Sequence, residues 1–315
     1  MEYREFICAV EKGMNMKLKG GVKASVYTAV KNNGKEKKGI MVECPGVNIS
    51  PTIYLEEFYD HYQKGKPMEE IIGDIFDFYE QIKCEKSWDT TGFENYDRLR
   101  DKVVFKLVHT EQNKELLKSV PHKEFLDLSI VFYVLLHVKK DGSVTMMICN
   151  HHLKLWNITV EELYAVACEN AKRLIPAQLF AMSRVVDEIL NPSLRKIGNW
   201  TENLFEKPEV EGGEIMYVLT NSLRNLGASC ILYPHVLDMA GEIIGEDFYV
   251  LPSSIHEVIL VPESNAMEQM EMDEMVTEIN ATQVAEEEIL SNHAYFYERE
   301  TGLLILQQYE NMAAS

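Results

Sequence analysis

The chain has 315 residues, 46% of them apolar and 26% charged, with 31 Lys and Arg against 50 Asp and Glu. These proportions belong to an ordinary folded globular protein and exclude disordered, collagen-like and low-complexity classes. The length exceeds what one core readily fills, which predicts two lobes.

Met1-Glu2-Tyr3-Arg4-Glu5 opens no apolar run of the secretory kind. The most apolar stretch, Leu128 to Leu136, falls short of the ~20 residues a spanning helix needs. The reading is therefore a cytoplasmic protein that does not enter a membrane. In chain order, Val22 to Val30 alternates into Lys31-Asn32-Asn33-Gly34 and is followed by Gly39 to Cys44, which predicts a hairpin. Pro67 opens a helix in which Met68, Ile71, Ile72, Ile75, Phe76 and Tyr79 repeat at three- and four-residue spacing. Strands are predicted from Val103 to Val108, Asp127 to Val138 and Val144 to Cys149, the last two joined at Lys140-Asp141-Gly142.

Thr159 and Glu162 form a capping box, and Val160, Leu163, Tyr164, Ala167 and Ala171 behind it mark one buried stripe. Pro176 opens another helical pattern through Val185, Val186, Ile189 and Leu190, ended by Asn191-Pro192. Residues 191–213, rich in Asn, Pro, Gly and charge, read as a boundary between lobes 1–190 and 214–315. Beyond it the pattern predicts strands from Ile215 to Thr220 and from Ala228 to Leu232, then a helix from Pro234 to Ile244. Strands from Phe248 to Leu251 and Ile255 to Val261 come next, before an acidic helix with Met272, Met275, Val276 and Ile279 on its core face. A last hairpin pairs Ala294 to Arg299 with Leu303 to Leu306. The fold class is α+β, two lobes each built on a mostly antiparallel sheet with helices packed on it.

Charge is uneven along the chain. Residues 1–207 hold 29 cationic and 30 anionic side chains, whereas 208–315 hold only Arg224 and Arg299 against 20 carboxylates. Such a surface repels phosphate backbones and attracts basic partners over a Debye length of ~8–10 Å. The carboxylates expected to meet a partner are Glu268, Glu271, Asp273, Glu274, Glu278, Glu286, Glu287 and Glu288. Glu268 to Glu278 lacks the spacing and central glycine of a calcium loop.

Few residues group in a way that suggests chemistry. His256-Glu257 begins like a zinc-protease motif, but position 260 is Leu. Ser253, Ser254, His256 and Glu257 place hydroxyls, an imidazole and a carboxylate near one turn and are the candidate catalytic group, with His235 as a helper. His151-His152 reads as a pair of loop-end polar residues rather than a metal centre, because adjacent side chains point apart in regular structure. Cys230 near His235 reads as a small buried hydrophobe. The six cysteines show no close pairing, so reduced thiols are expected. The sequons at Asn157, Asn199 and Asn280 carry no weight without a secretory route. Dinucleotide and phosphate-loop fingerprints are absent, so no cofactor is expected.

Val30-Lys31-Asn32-Asn33-Gly34, the run from Asn48 to Leu55, and the run from Phe248 to Pro262 resemble the bacterial family called domain of unknown function 5688. The similarity spans nearly the whole chain. It implies an accessory or mobile-element-associated protein of anaerobic gut-type bacteria, with an interaction or defence-related role. The sequence favours a non-enzymatic protein whose acidic C-terminal surface engages a basic protein, without direct nucleic-acid binding there. The alternative is a hydrolase-like enzyme with its site near Ser253, Ser254 and His256.

Overall fold

A computed structural model of the chain describes residues 1–48, 50–83, 87, 94–139, 142–191, 202–208 and 214–306. The fold is α+β, and every strand pair among the described residues is antiparallel. Two compact units divide the chain, Met1–Gly92 and Phe93–Ser315.

The first unit begins with helix α1, Tyr3–Lys17, whose Phe6, Ile7, Val10 and Met14 recur along one face and are buried. The sequence reading did not anticipate this helix. Strands β1, Lys23–Val30, and β2, Glu36–Glu43, form the expected hairpin, with Asn33 and Gly34 both in the left-handed region at its tip. β3, Thr52–Tyr54, adds to β2. Helices α2, Glu56–Gln63, and α3, Met68–Ile82, complete the unit, the latter burying Ile71, Ile75 and Tyr79. Asn15 fastens α1 to β1 through bonds to both the amide and the carbonyl of Ala24. A core of its own results, with Phe6, Ile40, Ile53 and Ile71 at its centre.

The second unit opens with α4, Tyr96–Leu99, and a sheet in which β6, Leu128–Lys139, is central. β4, Val103–His109, lies on one edge of it; β5, His122–Phe125, and β7, Gly142–Met147, follow one another along the other. The short helix α5, Lys114–Leu117, connects β4 to β5. The turn expected at Lys140-Asp141 lies outside the described residues. Helix α6, Asn150–Trp156, leads to α7, Val160–Leu174, where Thr159 and Glu162 make the predicted capping box.

A six-stranded sheet follows, in the order β13-β12-β10-β11-β9-β8. Its strands are β8, Ala177–Ala181; β9, Tyr217–Asn221; β10, Phe248–Leu251; β11, Val258–Pro262; β12, Tyr295–Glu298; and β13, Leu303–Ile305. Helices α8, Met182–Leu190, α9, Val236–Ile244, and α10, Gln269–Thr282, belong to the same unit. One core cluster runs through both sheets, from Val103 and Phe132 to Leu219, Phe248 and Tyr295.

Four differences from the sequence reading have physical causes. The expected boundary at 191–213 lies mostly outside the described residues, and the division falls at Gly92 and Phe93 instead, because β8 pairs with β9 and so ties the chain before 191 into the sheet built after 214. The stretch after Pro176 is β8, with Leu179, Phe180 and Ala181 buried; the helical pattern starts only at Met182. Gly227–Leu232 is a 3-10 helix rather than a strand, and the Ser229 hydroxyl and Cys230 thiol donate to the carbonyls of Leu226 and Thr220. Finally, β11 begins at Val258, which leaves Ile255, His256 and Glu257 in the preceding turn. Among the described residues no helix is long and apolar enough to cross a membrane.

Candidate functional site

Ser253, Ser254, His256 and Glu257 lie in the connection from β10 to β11, at the end of the large sheet. This connection is held from three sides. Ser254 bridges to Ile289, Ile255 N–H donates to Glu288 O, and the His256 carbonyl accepts from both Gly227 N–H and the Thr220 hydroxyl at 2.8 Å. The Ser254 hydroxyl accepts the His256 amide at 3.0 Å, closing a local turn. The His256 ring faces elsewhere: Nδ1 accepts the Leu226 amide at 3.2 Å, and Nε2 sits 3.4 Å from Glu288 Oε1. Among the described residues no hydrogen bond joins either serine hydroxyl to that ring. The four residues are thus neighbours, but the nucleophile-to-base contact that hydrolytic chemistry needs is not made. Burial pushes the Glu257 carboxyl up, with the charge of Glu288 adding to the effect and His256 opposing it.

Cys230 and His235 are not brought together. Cys230 is buried and its thiol is pushed far up by desolvation, while His235 is exposed and pairs with Asp238. Asn280 is also buried, donating to the Ser291 carbonyl, so this position holds structure rather than a glycan.

The structure brings together a polar network with no sequence signature. Asp127, in the turn before β6, accepts the hydroxyls of Tyr295 at 2.5 Å and Ser291 at 2.7 Å, with His109 Nε2 at 4.0 Å. Burial lowers the His109 pKa despite the Asp127 carboxylate, and raises that of Tyr295 well above the phenolic range. Both hydroxyls donate to the carboxylate, so they orient it and neither is an activated nucleophile.

The acidic residues separate into two groups. Asp273 accepts from His293, the Ala294 amide and Gln269, and Glu288 faces His256; these two serve the fold. Glu268, Glu271, Glu274 and Glu278 are exposed on and beside α10, and among the described residues no Lys or Arg pairs with them. Glu286 is exposed and Glu287 half-buried. The two arginines of this third are engaged internally. Arg224 clasps the buried Glu188 through both guanidinium nitrogens, and Arg299 donates to the Gly245 carbonyl at the end of α9.

His151 and His152 were expected to point apart. They do not: their ring centroids are 3.9 Å apart, because His152 folds back so that Nδ1 accepts the Cys149 amide at 2.9 Å. The His152 ring also stacks on Trp156, and its burial, together with His151, lowers its pKa. One ligand atom from each of Cys149, His151 and His152 lies within 4.8 Å of the others.

These features define an α+β protein of two compact units, each with hydrophobic clusters of its own. The family model described as "Family of unknown function (DUF5688)" matches residues 3–299, and the chain belongs to this family. No curated protein and no solved structure matches it.

Proposed function

We propose that this protein is a non-enzymatic, cytoplasmic binding protein that engages a basic protein through the carboxylates on and beside α10. The observation that carries the reading is the row Glu268, Glu271, Glu274 and Glu278, exposed and facing no Lys or Arg among the described residues. Glu271, Glu274 and Glu278 recur at three- and four-residue spacing and so share one helical face. Met267 and Met270, 47% and 56% exposed, lie beside them and supply adaptable apolar contact for a partner's aliphatic lysine and arginine stems. With Arg224 and Arg299 turned to internal acceptors, the field of this face is not neutralised from within its own third of the chain. Complementary charge speeds encounter and makes the complex sensitive to salt.

The test compares the immobilised wild-type chain with an E271Q/E274Q/E278Q variant in a bacterial lysate over a salt series. One basic protein retained by the wild type, released by salt and lost from the variant is the expected result. Equal retention by both chains, or no basic protein on either, overturns the proposal.

A further inference from the structure

We propose that Cys149, His151 and His152 form a binding site for a borderline-soft divalent cation, Zn2+ foremost. The site is separate from the acidic face and does not depend on the reading above.

The case starts with ligand chemistry. One thiolate and two imidazoles are the donor types that divalent zinc and cobalt take from proteins, whereas calcium and magnesium take oxygen. Three protein ligands also leave one position of a tetrahedron open to water. Geometry comes next. Bond lengths near 2.3 Å to sulfur and about 2.0 Å to nitrogen put tetrahedral ligands roughly 3.5 Å apart. The observed spread, within 4.8 Å, closes to that with a small side-chain rotation. His151 is exposed and can supply it, and Cys149 and His152 are half-buried, so the group meets solvent on one side and protein on the other.

The backbone that carries the three residues is anchored. Asn150 donates its amide to Ser119 O and its side-chain Nδ2 to Lys118 O, and the His152 ring is braced by Trp156. On such a fixed segment the backbone stays in place when the cation binds, and only the side chains adjust.

The hydrogen bonding of His152 specifies how the cation enters. Nδ1 accepts the Cys149 amide, so in the neutral ring the proton is on Nε2 and the available lone pair is on Nδ1. The cation takes that lone pair in place of the Cys149 N–H, the Cys149 thiol releases its proton to solvent, and water completes the coordination.

The test uses the full chain, stripped of metal and titrated with Co2+, followed by displacement with Zn2+. The expected result is one Co2+ per chain with a thiolate-to-cobalt charge-transfer absorption that Zn2+ removes. In C149S that absorption disappears, and in H151A and H152Q the affinity falls by at least roughly tenfold. Circular dichroism confirms that each variant is folded; should H152Q not fold, H151A decides, since His151 is exposed. Absence of the thiolate band in the wild type, its persistence in C149S through another cysteine, or wild-type affinity in H151A each overturns the site.

Discussion

The phenol of Tyr295 donates to Asp127 Oδ1 at 2.5 Å across 168 residues of sequence, joining the turn before β6 to the start of β12. Removing only the hydroxyl, as in Y295F, leaves Asp127 with Ser291 as its remaining short donor and costs about 1.5–3 kcal/mol, the range for a hydrogen bond to a charged group. The pH dependence has a definite sign. Tyr295 holds its proton in the folded state well above pH 10, whereas the unfolded chain releases it near 10. Above pH 10 the unfolded state binds fewer protons, so the stability contributed by this group is full below pH 10 and falls as pH rises. Urea melts from pH 8 to 11 should decline more steeply for the wild type than for Y295F.

Arg224 pairs with Glu188, whose side chain is 5% exposed. In R224A that carboxylate loses two guanidinium nitrogens and the packing of Arg224 over Phe180. Full burial of such a pair would put the loss at 3–5 kcal/mol; with Arg224 about a third exposed, water softens it to roughly 2–3 kcal/mol. E188Q in the R224A background should recover part of this in a denaturant titration. A double variant no more stable than R224A would show that the pair is not what holds α8 to the 221–226 turn.

A side chain at Gly227 has no room. An added Cβ would lie 2.2 Å from Thr220 Oγ1, 2.6 Å from His256 O and 2.7 Å from Asn221 N, two of which are backbone atoms that cannot rotate away. G227A is expected to lose about 2 kcal/mol or more by overpacking. Hydrogen exchange should locate the damage at the amides of residues 226–228 and 255–256. A thermal melt unchanged from wild type would contradict the geometry.

Glu257 titrates in the opposite sense from a paired carboxylate. Its folded pKa is raised by burial, so the unfolded chain gives up this proton first as pH rises. The contribution of this group is therefore present below the ordinary glutamate range and is lost as pH rises through the folded value. E257Q should stabilise the chain at pH 7 and flatten the stability profile between pH 4.5 and 7. A variant that is less stable at pH 7 would point to a partner for the ionised carboxylate.

Most elements whose burial follows one simple period were readable in the sequence, although α1, with Phe6, Val10 and Met14 at helical spacing, was missed. The hairpin of β1 and β2, the stripe of α3, the capping box of α7 and the apolar run of β10 all declare themselves locally. β8 did not, because Ala177 to Ala181 passes into a helical pattern without an intervening glycine or proline, and pairing with β9 decides its state. The sign of the C-terminal charge was also legible. Which carboxylates stay free was not, since Asp273 and Glu288 are taken up by His293 and His256 from other segments. The closeness of His151 and His152 was hidden for a different reason: periodicity describes where Cβ atoms point, not a ring that turns back onto the Cys149 amide.

The separate cores have a further consequence. No residue of the cluster around Phe6 and Ile71 belongs to the cluster that runs from Val103 to Tyr295. Each unit thus has apolar clusters of its own, as a domain does. Two unfolding free energies, one for each unit, are the expected outcome, and calorimetry should resolve two heat-absorption peaks. Damage at Tyr295, Arg224 or Gly227 would shift the peak of the second unit, leaving that of residues 1–92 as a built-in reference.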